Sequence, residues 1–338
     1  MRISPRFLVF ALSLMALLVS CSPVAESQTL RERLRDRMIQ RGGGGGNASL
    51  PAGTRKVTLS VAGQERFFLV HVPDTLPARP GVVIGLHGGG GTAANFIRTN
   101  SLLAHADRRG FLAVYPDGNR NWNDGRAAFA GHGDDVAFIR AMVTWLVANM
   151  NADRARVFAL GVSNGGVFAH KLACDAPDLV AGIAPMSANF SETLFAACHP
   201  ARPVPVVMFS GTDDPLMLFD GGRPDLSASM PGRGRATSTP ENLVSTMKTI
   251  EFWASNARCA ASARGQGLPD RADDGTTVTK ITFSCPAAQV TLYRIDGGGH
   301  GIPGSQPRSG RMAQMGGIIS QDIDAIGEAV AFFARYGL

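Results

Sequence analysis

The chain has 338 residues, 45% of them hydrophobic, and a formal net charge of +6. This hydrophobic content supports a folded core and excludes an intrinsically disordered protein, and the length suits one large α/β domain or two small ones. Four of the six net positive charges fall within the first 50 residues, and the rest of the chain is close to neutral. The charge therefore gives no indication of a nucleic-acid-binding surface.

The first 20 residues have the features of a secretory signal. Arg2 and Arg6 precede an uncharged stretch at residues 7–19 that is apolar except for Ser13, a pattern typical of an exported protein. This stretch is too short to cross a bilayer as a retained helix. Residues 18–21, Leu-Val-Ser-Cys, are similar to the bacterial lipobox, whose cysteine receives a diacylglyceryl group and becomes the new N-terminus. We therefore expect a bacterial cell-envelope lipoprotein, periplasmic or on the outer surface, anchored to the membrane through Cys21. An ordinary cleaved signal with an extracellular product is the alternative.

Residues 21–53 are predicted to form a flexible spacer, and residues 54–338 the folded domain. The spacer contains a charged run at 31–37, for which solvated linker is favoured. A short helix and a contact with anionic headgroups are the alternatives. Five successive glycines at 42–46 are expected to act as a flexible hinge. Within the domain, residues 221–239 are rich in Gly, Pro, Ser and Arg without apolar periodicity, which predicts a mobile loop.

Strand and helix patterns alternate along the folded domain. Strands are predicted at residues 56–61, 66–72, 82–87, 112–115, 156–160, 180–185, 204–209 and 290–295, and helices at 99–109, 135–149, 165–173, 241–256 and 322–336. This alternation predicts an α/β fold with a mostly parallel central sheet and helices on both faces. The first two strands are separated by only four residues, which predicts an N-terminal antiparallel hairpin at one edge.

A Gly-x-Ser-x-Gly motif at residues 161–165 carries the candidate nucleophile. By itself the motif is a weak signal in a chain with 40 glycines. Here a predicted strand leads directly into it and a predicted helix leaves it. That strand–turn–helix context is the nucleophile elbow of α/β-hydrolases, in which the serine sits at strained backbone angles. Ser163 is therefore the predicted nucleophile.

A serine hydroxyl needs a base within reach to accept its proton. In this fold the chain order is serine, acid, histidine, and the histidine follows the last strand. Of the seven histidines, only His199 and His300 lie well beyond the helix that follows Ser163. His199 adjoins Cys198 and is interpreted as structural, whereas His300 follows the last predicted strand and is flanked by glycines. His300 is the predicted base.

The acid of such a site is expected after an intermediate strand. The strand at 204–209 runs into Ser-Gly-Thr-Asp-Asp-Pro, residues 210–215. Either Asp213 or Asp214 would then orient the histidine and stabilise the imidazolium that forms during attack. Position alone does not separate these two carboxylates.

The strand at 82–87 ends in a glycine-rich loop, His-Gly-Gly-Gly-Gly, at residues 87–91. In an HGGG-type loop one backbone N–H joins that of the residue after the nucleophile to hold an oxyanion, which assigns Gly89 and Asn164 to this role. His87 is interpreted as a brace for the loop. The Lys-Ser/Thr pair of a phosphate-binding P-loop is missing.

Four cysteines remain after Cys21, and an even number in an exported domain favours two disulfides. Three pairings are possible. The pairs Cys174–Cys198 and Cys259–Cys285 are favoured, because each closes a loop of about 25 residues and contributes roughly 3 kcal/mol in the chain-entropy model. The Cys and His spacings do not suggest zinc, and no metal is expected.

Six segments, taken together and in this order, resemble the polyhydroxybutyrate depolymerase/feruloyl esterase family. They are LHGGGG (86–91), YPDG (115–118), DDVAFI (134–139), GVSNGG (161–166), GTDDP (211–215) and GGGHGIPG (297–304). The resemblance covers essentially all of residues 54–338 and implies an α/β-hydrolase fold, an exported enzyme and no cofactor. The family's acid falls on the second Asp of its GTxDP segment, which implies Asp214, and its cysteine pattern agrees with the two favoured disulfides.

The last segment departs from the family pattern. Many relatives read GGGHTWPG, whereas this chain has Gly301 and Ile302 in place of Thr and Trp. A bulky aromatic substrate is therefore less expected. Ile302 and Trp122, which follows the strand at 112–115 at the substrate edge of the sheet, are predicted to contact substrate. For Trp122, packing against its own loop is the alternative.

The predicted function is hydrolysis of carboxylic esters through an acyl-enzyme on Ser163. The candidate substrates are short 3-hydroxyalkanoate oligomers, feruloyl or acetyl esters on plant polysaccharide, and generic short acyl esters. Soluble oligomers are favoured over solid polymer, because the enzyme is predicted to be anchored. No nucleic acid and no required protein partner is expected. The alternatives are acyl transfer to an envelope sugar or lipid, a catalytically idle binding lipoprotein, and a peptidase, for which no residue gives specific support.

Overall fold

The computed structural model describes residues 49–225, 241–307 and 315–338. The predicted signal peptide, Cys21, the spacer up to residue 48 and most of the predicted 221–239 loop lie outside the described residues. Residues Leu50–Leu338 form one compact unit. No helix within the three described ranges combines the length and apolar composition needed to cross a bilayer.

The central sheet contains ten strands among the described residues. They are β1 (Thr54–Val61), β2 (Gln64–His71), β3 (Val82–Leu86), β4 (Leu112–Pro116), β5 (Val157–Val162), β6 (Gly182–Met186), β7 (Val206–Gly211), β8 (Ala263–Gly267), β9 (Thr277–Phe283) and β10 (Val290–Asp296). Their order across the sheet is β1-β2-β4-β3-β5-β6-β7-β10-β9-β8.

The helices described by the structure lie between these strands and after the last one. They are α1 (Ala93–Phe96), α2 (Leu102–Arg109), α3 (Asp135–Met150), α4 (Asn164–Asp175), α5 (Glu192–Ala197), α6 (Thr246–Asn256) and α7 (Ala325–Ala334), with a 3₁₀ helix at Ala127–His132. α7 begins after Asp324, whose side chain accepts a hydrogen bond from the Gly327 N–H. Such a cap satisfies one of the free N–H groups of the first turn.

The predicted architecture is confirmed. β1 and β2 form an antiparallel hairpin at one edge and β2 pairs antiparallel with β4. Neighbouring strands from β4 to β10 are parallel. All eight predicted strands are present, with ends that move by one or two residues.

Two strands at the far edge are missing from the sequence prediction. β8 is fully exposed and reads Ala-Arg-Gly-Gln-Gly, so it has no apolar alternation that could indicate a strand. β9 reads Thr-Val-Thr-Lys-Ile-Thr-Phe, and its β-branched residues do favour a strand. Both pair antiparallel and extend the sheet beyond β10.

The core consists of two apolar layers, one on each face of the sheet. Alternate residues of each parallel strand enter opposite layers: Val82 and Ile84 lie in one, and Val83 lies in the other. Helices α3, α4 and α6 contribute to the first layer, and α2 and α7 to the second. Because both faces are covered, the central strands are continuously hydrophobic, and polar residues are concentrated in the loops at the strand ends.

Candidate active site

Ser163 lies in a sharp turn between β5 and α4. Its backbone angles are φ 56° and ψ −126°, a strained conformation for a residue with a side chain. A methyl group on Gly161 would lie 2.4 Å from the Gly165 carbonyl oxygen, and one on Gly165 would lie 2.4 Å from the carbonyl oxygens of Leu86 and His87. The turn therefore requires glycine at these two positions, which explains the Gly-x-Ser-x-Gly spacing.

The end of β6 connects this turn to the loop that carries His300. The Ser163 N–H donates to the Met186 carbonyl oxygen at 3.0 Å. The next residue, Ser187, uses its hydroxyl twice on Gly301: it accepts from the Gly301 N–H at 2.9 Å and donates to the Gly301 carbonyl oxygen at 3.1 Å. Since the carboxyl ends of parallel strands meet at one sheet edge, β5, β6, β7 and β10 bring their following loops together there.

His300 and Asp214 form a buried pair in these loops. The His300 Nδ1 lies 2.8 Å from Asp214 Oδ2 and 3.0 Å from Oδ1, and the two residues are 5% and 3% exposed. Asp214 Oδ1 also accepts hydrogen bonds from the backbone N–H groups of Leu216 and Met217, at 2.9 and 2.8 Å. Since a carboxylate accepts and cannot donate, this arrangement places a proton on Nδ1 of His300 and leaves Nε2 to exchange protons.

Asp213, the other acidic candidate, has a different environment. It is exposed, and its Oδ1 accepts from the Thr212 hydroxyl at 2.9 Å. The Asp213 N–H donates to the Gly298 carbonyl oxygen at 2.9 Å, which joins the β7 loop to the β10 loop. The structure thus brings Asp214 to His300 and gives Asp213 a place in the turn.

The glycine-rich loop after β3 lies against the Ser163 turn. A methyl group on Gly88 would lie 3.6 Å from Ser163 Cβ, and one on Gly89 would lie 3.7 Å from Asn164 Cβ. The Asn164 N–H is at the first position of α4, where N–H groups have no acceptor within the helix. The two residues assigned to oxyanion binding are therefore neighbours beside Ser163.

His87 holds this loop in place. Its Nε2 accepts from the Gly118 N–H at 3.0 Å, and its Nδ1 lies 2.9 Å from the Gly88 carbonyl oxygen, to which it must donate. These partners define the neutral ring with the proton on Nδ1. Burial also lowers the pKa of His87 below its usual range. His87 is thus neutral and fully engaged, in line with its interpretation as a brace.

Trp122 does not have the surface that a substrate contact would require. Its side chain is 0% exposed, stacks on Phe168 with ring centroids 5.0 Å apart, and donates from Nε1 to the His87 carbonyl oxygen at 2.9 Å. This burial gives no support to the predicted substrate contact, and the ring packs against α4 and against the loop after β3. The physical reason is that a large apolar ring with one donor is satisfied under the glycine-rich loop.

Ile302 is also buried, at 7% exposure, within the apolar layer that contains α2 and α7. Its branched aliphatic side chain packs into this layer because it gains more from burial than from contact with water. The predicted substrate contact of Ile302 is not supported by this placement.

Both favoured disulfides are present. Cys174 at the end of α4 bonds to Cys198 after α5, and Cys259 after α6 bonds to Cys285 after β9. In the ranges that the structure describes, no group of three or more His, Cys, Asp or Glu side chains is placed to hold a metal ion.

Two family-like segments turn out to hold loops around the site. In YPDG, Asp117 accepts from the Ala93 N–H at 2.9 Å and so ties the end of β4 to the start of α1. In DDVAFI, Asp135 accepts from Arg66 and from the Asn123 N–H, both at 2.7 Å. Burial raises the pKa of Asp135, and the hydrogen bonds from Asn123 and Arg66 oppose that rise.

The residues that the sequence analysis missed are the Ser187 clamp on Gly301 and the buried Asp124. The backbone of Ser187 has a left-handed conformation, with φ 45°. Nothing in the sequence around it indicates that its side chain holds Gly301. Asp124 follows Asn-Trp-Asn in a loop already singled out for its tryptophan. An acidic residue in that loop was a weak sequence signal for a functional side chain.

Comparison with known proteins identifies the family. The family model described as Esterase PHB depolymerase matches residues 67–237. NocK, an inferred esterase of Nocardia uniformis subsp. tsuyamanensis, is 32% identical over 253 residues, which are 72% of this chain and 72% of NocK. The chain belongs to the Esterase PHB depolymerase family.

Further similar proteins are named as a feruloyl esterase and an acetyl xylan esterase. Feruloyl esterase B of Neurospora crassa is 35% identical over 139 residues, 39% of this chain and 47% of that protein, so the match spans about half of that relative. An acetyl xylan esterase from Aspergillus awamori superposes with a TM-score of 0.52 at 15% identity, covering 77% of this chain and 98% of that one. This likeness shows the α/β-hydrolase fold, and the family membership supports carboxylic-ester hydrolysis.

Proposed function

We propose that the protein is a serine carboxylesterase that works through an acyl-enzyme. The observation that supports this most is the buried His300–Asp214 pair, 2.8 Å from Nδ1 to Oδ2, on the same sheet edge as Ser163 in its strained turn. Nucleophile, base and acid follow β5, β10 and β7, and the chain order is serine, acid, histidine, as in other enzymes of this fold.

In the proposed reaction, the Ser163 hydroxyl oxygen attacks the ester carbonyl carbon while His300 Nε2 takes the hydroxyl proton. Asp214 holds the ring through Nδ1–H and stabilises the imidazolium. The carbonyl oxygen, now negative, accepts from the N–H groups of Gly89 and Asn164. When the carbon–oxygen bond to the alcohol breaks, His300 protonates the leaving oxygen. Water, deprotonated by the same ring, then hydrolyses the acyl-enzyme.

The oxyanion hole is expected to contribute much of the rate acceleration. Each N–H that binds the oxygen mainly in the transition state stabilises it by about 3–4 kcal/mol. The loop that supplies Gly89 is held by the hydrogen bonds from His87 Nδ1 to the Gly88 carbonyl oxygen and from Trp122 Nε1 to the His87 carbonyl oxygen. A third hydrogen bond connects it to the loop after β4, since the Gly90 N–H donates to the Arg120 carbonyl oxygen at 2.7 Å. Such prior fixation avoids reorganisation during the reaction.

We propose short 3-hydroxyalkanoate oligomers or feruloyl- and acetyl-type esters as substrates. The family description supports the first class, and the names of the N. crassa and A. awamori relatives support the second. The residues at positions 301 and 302 favour the smaller acyl groups, because glycine and a buried isoleucine offer no aromatic surface to a feruloyl ring.

We further propose that the protein is exported and anchored in the cell envelope through a lipid on Cys21. The signal-like residues 1–20 and the lipobox-like residues 18–21 support this. So do the two disulfides, which persist in oxidising compartments and are rare in the cytosol.

The test of the catalytic proposal compares the purified protein with Ser163→Ala. Release of p-nitrophenol from acetate, butyrate and octanoate esters is followed, and then hydrolysis of 3-hydroxybutyrate trimer and methyl ferulate. We expect turnover by the parent, falling with acyl length, and rates near background for Ser163→Ala. A folded parent without turnover on any ester, or an active Ser163→Ala, would overturn the proposal.

A further inference from the structure

The carboxylate of Asp124 is buried directly behind the residue that follows the nucleophile. Its side chain is 0% exposed. Its Oδ2 accepts from Asn164 Nδ2 at 2.6 Å and from Arg126 Nε and Nη2 at 2.9 and 2.5 Å, and its Oδ1 accepts from the Arg126 N–H at 3.1 Å. Since burying a charge is expensive unless it is paired and hydrogen-bonded, a carboxylate with four donors at this place calls for a reason beyond packing.

The Asn164 side chain is held at three points. Its Oδ1 accepts from the Trp122 N–H at 2.8 Å, and its Nδ2 donates to the Trp122 carbonyl oxygen at 3.1 Å as well as to Asp124. Because Asp124 can only accept, it requires the NH₂ group of Asn164 on its side. The side-chain amide therefore has one orientation, and with it the Asn164 Cα and the peptide N–H beside Ser163 are fixed.

We propose that Asp124 is a positioning residue for the oxyanion hole, acting through the Asn164 side chain on the direction of the Asn164 backbone N–H. This inference rests on the proposed function. Arg126 neutralises the carboxylate, so that Asp124 can hold Asn164 without placing a net negative charge behind the developing oxyanion. The Arg126 guanidinium is itself supported, since it lies over the Phe129 ring at 4.8 Å.

The role predicts a particular kinetic signature. An N–H that is misaligned only in the transition state lowers kcat and leaves KM nearly unchanged. Removing a whole oxyanion donor lowers kcat by about 10²–10³. Asp124→Ala leaves the N–H in place but releases its support, so a fall of about 10- to 100-fold is expected. Affinity for an alkyl boronate, whose adduct with Ser163 places an oxygen in the same hole, should fall by the same factor.

The experiment measures kcat, KM and butylboronate inhibition for Asp124→Ala, Asn164→Ala and the double variant, each normalised to the active sites titrated by a p-nitrophenyl phosphonate. Asp134→Ala is the matched control, because Asp134 is an exposed carboxylate that caps α3 through the Ala137 N–H. Asn164→Ala keeps its backbone N–H but removes the contacts with Trp122 as well as the one with Asp124, so it should lose at least as much kcat as Asp124→Ala. The double variant should fall no further than Asn164→Ala, since Asp124 acts through the Asn164 side chain.

An unchanged kcat per titrated site in Asp124→Ala would overturn the proposal, because a purely structural role lowers only the number of active sites. A double variant that falls by the product of the single factors would also overturn it. If Asp124→Ala does not fold, Asp124→Asn is measured in its place, because asparagine retains an oxygen that can accept from Asn164 Nδ2. Asp124→Asn should keep at least a third of the parent kcat, whereas Asn164→Ala should lose 10-fold or more. Equal losses in these two variants would overturn the proposal. Absence of phosphonate labelling at Ser163 in the parent would instead refute the proposed function.

Discussion

Replacing Asp214 with asparagine tests the catalytic pair with minimal disturbance of the fold. The Asn oxygen can occupy the place of Oδ1 and keep the hydrogen bonds from the Leu216 and Met217 N–H groups, at 2.9 and 2.8 Å in the parent. The NH₂ group then takes the place of Oδ2, 2.8 Å from His300 Nδ1. Because NH₂ donates, Nδ1 must accept, and the ring proton moves to Nε2. His300 can then no longer accept the Ser163 proton.

The expected magnitude follows from these contacts. A wrong ring tautomer lowers the rate by about 10⁴ in triads of this kind, which corresponds to about 5.5 kcal/mol of transition-state stabilisation. The fold should lose little, about 1 kcal/mol, because the two backbone donors stay satisfied. Asp214→Ala should lose activity similarly and should also lose about 2–4 kcal/mol of stability, because it leaves the buried Met217 N–H and the part-buried Leu216 N–H without their acceptor.

The assay is p-nitrophenyl butyrate hydrolysis, with urea unfolding of the same preparations. Asp213→Ala is the matched control, because Asp213 is the exposed neighbour in the same turn, and it should keep kcat/KM within about threefold of the parent, as surface substitutions usually do. The reasoning would be refuted if Asp214→Asn kept more than a tenth of the activity, or if Asp213→Ala were the inactive variant.

Three further changes are expected to have measurable effects. Ser187→Ala removes both hydrogen bonds to Gly301 and should lower kcat about 10-fold, measured with the same ester, since a net hydrogen bond contributes about 1 kcal/mol. Replacing Cys174 and Cys198 by alanine opens a loop with a sequence separation of 24 and should lower the free energy of unfolding by about 3 kcal/mol in urea titrations. Burial lowers the pKa of His170 to about 4. Between pH 4 and about 6.5, the unfolded chain therefore binds a proton on this residue that the folded protein does not. As the pH drops through this range, the free energy of unfolding falls by about 3 kcal/mol because of His170. His170→Asn should remove that part of the pH dependence.

Each of these expectations has an outcome that contradicts it. A Ser187→Ala variant with the parent kcat would show that the hydrogen bonds to Gly301 are not needed to position His300. A cysteine variant with unchanged unfolding would show that the disulfide does not restrict the unfolded chain. His170→Asn can satisfy the Trp253 Nε1 donor and the Ala188 carbonyl acceptor that His170 contacts at 3.0 and 3.2 Å. An unchanged slope of stability against pH in this variant would contradict the assignment of that slope to His170.

The sheet could be predicted because its central strands carry a strong signal. Parallel strands buried on both faces are short, continuous apolar runs between turn residues, and β3, β5 and β7 are of this kind. β8 could not be predicted, because its stability comes from pairing with β9 and its exposed side chains carry no pattern. The short helix α5 starts with a Ser191 cap, but four- to six-residue helices give too few turns for periodicity to show.

The candidate site could be predicted where the local geometry restricts the sequence. Gly161 and Gly165 are required by contacts below 2.5 Å, so the serine between them stands out. The choice of Asp214 over Asp213 needed a family resemblance, because only the folded structure shows which carboxylate meets His300. Trp122 was predicted to contact substrate because its loop follows a strand at the substrate edge of the sheet. Its burial depends on Phe168 and on the His87 carbonyl oxygen, which no local pattern reveals.

The most direct test of the account is to trap the acyl-enzyme. The protein is mixed with p-nitrophenyl butyrate, quenched in acid within the first turnover, digested and examined by mass spectrometry, with Ser163→Ala and Asp214→Asn treated in parallel. We expect a burst of p-nitrophenol equal to the enzyme concentration and one butyryl group on the peptide that contains Ser163, absent from Ser163→Ala. A butyryl group on another residue, or turnover by Ser163→Ala at the parent rate, would contradict it.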